Sequence, residues 1–141
     1  MKTSSHQISV STKGFCDFHD LTPGVERAAR ESGIAEGIVT VLVPGSTAGI
    51  TTIEFESGAL RDLRRAIERL APENIPYDHD ARWGDGNGFA HVRAALLGPS
   101  LSVPLSRGDL QLGTWQQIVL VDFDNRPRER EVLVHIMGQE Q

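Results

Sequence analysis

Between Pro76 and His91 the chain reads PYDHDARWGDGNGFAH, which places two histidines, three aspartates, an arginine, an asparagine, a tryptophan and three glycines in sixteen residues. Imidazole and carboxylate together suit zinc or another divalent cation, with positions left open for water or substrate. His79, His91, Asp78, Asp80 and Asp85 are the candidate donors. The twelve-residue separation of His79 and His91 matches no known ligand spacing, and a hydrogen-bonded pair of loop histidines is the competing reading. Other chemistries are excluded by register. Asp78-x-Asp80 resembles the opening of a calcium loop, but Arg82 occupies the next ligand position and the glycine falls out of phase. Gly84-x-Gly86-x-Gly88 is not the GxGxxG of a dinucleotide site, and no buried strand leads into it. Neither a phosphate-loop lysine nor a GxSxG elbow is present.

Two further clusters could act on a ligand. Gly45-Ser46-Thr47-Ala48-Gly49 combines hydroxyls with glycine amides at a strand break, a combination that can hold an anion through backbone N–H groups. Thr114-Trp115-Gln116-Gln117 sets polar groups and an indole at the start of a long apolar run. It reads either as a pocket wall or as a tryptophan packed into the core with its N–H bonded. Glu54 ends a β-rich run and in the simplest reading faces solvent.

These residues need a scaffold, and hydrophobic periodicity supplies one. Gln7–Thr12 alternates as a half-buried strand, and a helix over Pro23–Ser32 starts at Thr22-Pro23 and stops at Gly33. Gly37–Val43 is a β-branched run that reads as a strand buried on both faces, and Ala48–Phe55 reads as another. Leu60, Leu63, Ile67 and Leu70 mark one face of a helix that ends before Pro72. Pro76–His91 shows neither period and reads as a long loop, of the kind that carries function or merely covers surface. Ala90–Leu97 reads as a turn or two of helix stopped by Gly98-Pro99. Ser100–Leu105, Asp109–Leu112, Thr114–Phe123 and Glu129–Met137 read as strands in a meander. The expected fold is α+β: a β-rich sandwich or mixed sheet with two main helices packed outside, one domain over residues 1–141.

At 141 residues the chain can bury one core, and its 39 % hydrophobic and 23 % charged content is ordinary for a globular protein. A net charge of -5 argues against a nucleic-acid partner. The single Cys16 cannot form an internal disulfide, which fits a reducing compartment; it reads as an apolar filler, with a catalytic thiol as the alternative. The N-terminal stretch lacks the apolar core of about 7–15 residues that a signal peptide needs. No run approaches the ~18 apolar residues of a membrane span. A cytoplasmic protein without a membrane partner is expected.

Taken together, GSTAGITTIE (Gly45–Glu54), the block from Tyr77 to Ser100, Val103-Pro104, LGTWQQI (Leu112–Ile118) and DFDNRPRER (Asp122–Arg130) resemble the YjbQ family. That family is also known as the secondary thiamine-phosphate synthase or uncharacterised protein family 0047 group. The resemblance runs nearly end to end. It implies a β-rich α+β homotrimer with a histidine-containing site able to hold a divalent metal, zinc or magnesium. It also implies a weak activity that joins a pyrimidine methyl diphosphate to a thiazole phosphate with loss of pyrophosphate. Carried onto this chain, it assigns His79, His91 and Asp80 to the metal, and Glu54, His91 and Arg93 to catalysis. Ser46, Thr47, Asn87, Gly88, Trp115, Gln116 and Arg128 fall to the phosphorylated small-molecule substrate. Arg82 and Arg126 are further candidates for the departing pyrophosphate. Two positions depart from the family pattern: Gly45 and Phe89 stand where many members carry histidine. The alternative is a non-catalytic trimeric protein that binds a metal or small molecule.

Overall fold

The computed structural model describes residues 1–140. Its elements, in chain order, are β1 (Lys2–Thr12), β2 (Asp17–Asp20), α1 (Thr22–Ser32), β3 (Ile34–Leu42), β4 (Ala48–Ile53), α2 (Ser57–Leu70), α3 (Asp78–Trp83) and α4 (Gly88–Leu97). Four strands follow: β5 (Ser100–Ser106), β6 (Asp109–Leu110), β7 (Gln117–Asp122) and β8 (Arg128–Glu140). The fold is α+β, as expected, with every strand pairing antiparallel.

Two sheets form. The larger has the order β1-β8-β3-β5-β6 and the smaller β2-β7-β4. The two ends of the chain meet in the large sheet, where β1 and β8 pair continuously from Lys2 opposite Gly138 to Thr12 opposite Arg128. The last strands are therefore not a meander: β7 leaves for the small sheet and β8 lies between β1 and β3. Strand periodicity fixes which face a residue takes but carries no information about which strand it pairs with.

β7 shows how the layers are joined. Ile118 and Leu120 enter the core between the two sheets, where Val39, Val41, Val134 and Ile136 meet Val25 and Ala28 of α1. Val119, Val121 and Phe123 face the other way, into a second core with Ile67 of α2 and Phe89, Ala90 and Ala94 of α4. A strand covered on both faces reads as an unbroken apolar run, as this one does. α1 is bounded by Pro23 near its start and by Gly33 at φ 71°. The Glu56 carboxylate caps α2 by accepting from the Gly58 and Ala59 amides, which would otherwise lack partners. None of the helices among the described residues is long and apolar enough to cross a membrane.

Four local expectations are corrected. The loop at Pro76–His91 contains α3 and the first turn of α4. α3 buries none of its residues, and six positions are too few to display a helical period. Trp115 does not open a strand: Gly113–Gln116 is a turn closed by Gln116 N–H to Gly113 O at 3.1 Å, and β7 begins at Gln117. β6 ends at Leu110, short of the expected Leu112. β2 was not expected, because four residues rich in Asp and His carry no strand signal of their own and depend on β7 for pairing.

Candidate functional site

The α3–α4 loop is held in shape by hydrogen bonds made by its own side chains. Asp80 Oδ1 accepts the Gly88 amide at 2.8 Å, which ties α3 to the first turn of α4. Tyr77 donates its hydroxyl to Pro72 O at 2.6 Å and packs over Gly88, where a Cβ would lie 2.5 Å from the Tyr77 Cβ. Only glycine fits beneath that ring. α4 then sorts its side chains by helical spacing, with residues four apart sharing a face. Asn87 and His91 take the loop side, while Phe89 and Arg93 take the core side.

On the loop side the His79 and His91 rings lie 4.3 Å apart, centre to centre, at 40°. His79 Nδ1 is 3.5 Å from Asp80 Oδ1 and 3.4 Å from Asp85 Oδ1. The donor atoms of His79, Asp80 and Asp85 all fall within 4.8 Å of one another. One imidazole and two carboxylates, partly open to solvent, fit a divalent cation that keeps positions for water or substrate. Of the three expected ligands, His79 and Asp80 belong to this set, Asp85 completes it, and His91 stands beside it.

Phe89 lies on the opposite side of the helix. It stacks on Phe15 at 6.2 Å and lies under the Arg93 guanidinium at 4.9 Å. Phe89 therefore takes no part in the His79–Asp80–Asp85 set. Arg93, expected to be catalytic, is buried; it donates to Ala71 O at 2.9 Å and to Phe15 O at 3.0 Å. Ala71 caps the C-terminal end of α2, where a cation opposes the helix dipole. Burial pushes the thiol of Cys16, in the same core, up to about 11, so it is not a thiolate nucleophile near neutrality.

Below the loop lies a buried polar cluster. Asp122 and Asp124 are both wholly inaccessible. Arg130 makes a two-pronged contact with Asp122, at 2.7 and 3.1 Å, and Thr12 donates to the same carboxylate at 2.7 Å. Asp124 accepts from Thr47 Oγ1 at 2.9 Å, from Asn87 Nδ2 at 3.2 Å and from Arg128 Nη2 at 3.0 Å. Asn87 also accepts the Asn125 amide at 3.0 Å. One carboxylate thus joins the turn before β4, the start of α4 and the turn before β8. Burial acts to raise the Asp124 pKa, but the hydrogen bonds from Thr47, Arg128 and Asn87 and the Arg128 charge outweigh it and hold the group below the ordinary carboxylate range. Two acids here balance two arginines, so the cluster has little net charge to offer an anion.

The expected substrate residues separate accordingly. Thr47, Asn87 and Arg128 are committed to Asp124, and the Gly88 amide to Asp80, while Ser46 is exposed. Gly45 has φ 118°, and a Cβ there would meet Arg130 Nη1 at 3.0 Å. Glu54, Trp115 and Gln116 lie elsewhere. β4 and β7 pair from Ala48 opposite Asp122 to Ile53 opposite Gln117, so those three occupy the far end of the small sheet. Five residue steps put them roughly 17 Å from the Asp122 end. Trp115 is 72 % exposed there, and Glu54 is half-buried.

Asp122, Asp124 and Arg130 were not among the expected site residues. A signal did exist: an acid closing the apolar run Ile118–Phe123 must be buried and therefore needs a cation, and Arg130 follows eight residues later.

The family model described as UPF0047 protein YjbQ-like matches residues 6–139. A UPF0047 protein of Archaeoglobus fulgidus is 38 % identical over 128 residues, covering 91 % of this chain and 97 % of its own. The UPF0047 protein YugU of Bacillus subtilis is 37 % identical and covers 93 % and 97 %. The crystal structure of a YbjQ-like protein of unknown function from Sulfolobus solfataricus superposes with a TM-score of 0.93 at 35 % identity, covering 98 % of this chain and 99 % of that one.

Proposed function

We propose, from the premise that this chain belongs to the UPF0047 protein YjbQ-like family, that it is a thiamine-phosphate-synthase-like transferase. In this reading it joins a pyrimidine methyl diphosphate to the ring nitrogen of a thiazole phosphate. The observation that carries the reading is the convergence of His79, Asp80 and Asp85 within 4.8 Å, with His91 alongside. These three residues would hold zinc or magnesium, and a bound cation supplies positive charge to oxygens that become more negative during reaction.

In the reaction the bond from the pyrimidine methylene carbon to the diphosphate oxygen breaks, and the thiazole nitrogen lone pair forms the new carbon–nitrogen bond. The electron pair leaves with pyrophosphate. Positive groups aimed at that oxygen lower the barrier. Arg82 on α3 and Arg126 on the turn before β8 are exposed, and neither makes an ion pair among the described residues, so they are the arginines free to serve. In this reading His91 donates a hydrogen bond to a diphosphate oxygen, and Ser46 to a phosphate. A homotrimer in the cytoplasm completes the proposal, the latter in keeping with an unpaired, buried Cys16.

A second reading, a trimeric binder without turnover, is favoured by one observation: Glu54, Trp115 and Gln116 stand at the opposite end of the small sheet from His91. Elemental analysis and pyrophosphate release separate the two. The transferase reading expects about one divalent ion per chain, lost in His79→Ala, and pyrophosphate released only when both precursors are present. Metal without release selects the binder, and a metal-free protein sinks the site for both.

A further inference from the structure

Between the free edge of β4 and the start of β5 lies a cleft of about 440 Å³, within the range of small-molecule sites. Ile50, Leu97, Leu101 and Leu112 are among its apolar lining residues. Hydroxyls and amides, among them Thr52, Ser102, Gln111 and Gln116, form the rim. No Asp, Glu, Lys, Arg or His lines it. The recess on the other side of Gln116, by contrast, includes Glu26, Arg30 and Asp109.

The rim is pre-set. Gln116 Oε1 accepts the Gly113 amide at 3.0 Å, and its Nε2 donates to Thr52 Oγ1 at 3.2 Å. A second amide proton of Gln116 and the hydroxyl proton of Thr52 are left for a ligand. Backbone groups on the free edge of β4 add to these. The Ile50 amide, turned away from β7, donates to Gly98 O at 2.9 Å. Outward groups recur every second residue along a strand, so those of Thr52 face the cleft.

We propose that this cleft binds a small uncharged heteroaromatic ring with an amide or amino edge. Such a ring lays a face against Leu97, Leu101 and Leu112 and turns its donors and acceptors to Gln116 and to Thr52. A carboxylate or phosphate has no counter-charge here. A polyol presses hydroxyls against Leu97 and Leu101 without partners, at a cost in desolvation. The cleft lies toward the end of β4 opposite the α3–α4 loop, so it is a site separate from the one proposed above and goes beyond that reading.

Backbone amide resonances followed while uracil, myo-inositol and benzoate are titrated separately into the full chain test this. Uracil is expected to move Thr52, Leu112 and Gln116 saturably in the millimolar range. Gln116→Leu should weaken it about tenfold, the loss of one or two net hydrogen bonds. Thr52→Val, which keeps its shape, should weaken it several-fold with the spectrum otherwise unchanged. Three outcomes overturn the site: no saturable shift with uracil, equal affinity in both variants, or myo-inositol or benzoate binding as tightly as uracil. Metal content measured on the same samples reports on the α3–α4 loop, so failure of one site is not mistaken for failure of the other.

Discussion

At the Asp122 end of the small sheet each buried carboxylate is bonded to an arginine and to neutral donors, whereas the cleft toward the Gln117 end is lined by uncharged polar groups and several protons remain free. The first arrangement is rigid and self-neutralising; its task is to fix the turn before β4, the start of α4 and the turn before β8 against one another. The second leaves an open cleft beside an exposed tryptophan. One strand pair, β4 with β7, runs between them and holds their spacing. The chemistry proposed for the α3–α4 loop therefore depends on a buried acid that touches no substrate, and recognition of an uncharged ring depends on groups far from that acid.

The contrast is most severely tested at Asp124. Asp124→Ala removes the acceptor shared by Thr47, Asn87 and Arg128 and leaves arginine charge uncompensated. Urea unfolding should show a loss of about 3–5 kcal/mol, and a loss under 1 kcal/mol would deny the cluster its structural role. Gly88→Ala comes next. Its Cβ would meet the Tyr77 Cβ at 2.5 Å, so overpacking should cost about 1–3 kcal/mol and disturb metal content together with stability. An unperturbed metal site in that variant would show that Asp80 does not need the Gly88 amide.

The Asp124 carboxyl also makes the Asp122 end sensitive to acid. Its folded pKa lies below the unfolded value, so the group stabilises the fold fully above the ordinary Asp pKa of about 3.9. That stability is lost as pH falls through the lowered folded value, at about 1.4 kcal/mol per unit of difference. The unfolding midpoint of the wild type should thus fall below pH 4 more steeply than that of Asp124→Asn; parallel curves would refute the assignment. The smallest effect belongs to the other end. Trp115→Ser should change stability by no more than about 0.5 kcal/mol, because the indole is 72 % exposed. A larger loss would mean that Trp115 is covered in the assembled protein.

Much of this was legible beforehand where one element reveals itself alone. The period of Leu60, Leu63, Ile67 and Leu70 marks α2, and the double-sided apolar run of β7 marks a buried strand. The composition of Pro76–His91 drew attention to His79, His91 and Asp80; the structure instead gathers His79, Asp80 and Asp85 within 4.8 Å, with His91 beside them. α3 was not legible, because a helix of six residues that buries none of them has no apolar face to betray it. Nor was the position of Trp115, since an indole beside an apolar run suits burial and exposure equally until the turn at Gly113–Gln116 is seen.

By itself the sequence determined the α+β class, the helices α1 and α2, and the concentration of histidine and aspartate before α4, because each of these follows from residue type and local period. Only the tertiary structure decided that Asp122 and Asp124 meet Arg130 and Arg128, that Arg93 serves a helix end, and that Trp115 and Gln116 stand roughly 17 Å from the Asp122 end of the small sheet. The reason is physical. Strand partnership is set by contacts between residues as far apart as Thr12 and Arg128, and no local pattern encodes which distant strand will supply the matching edge.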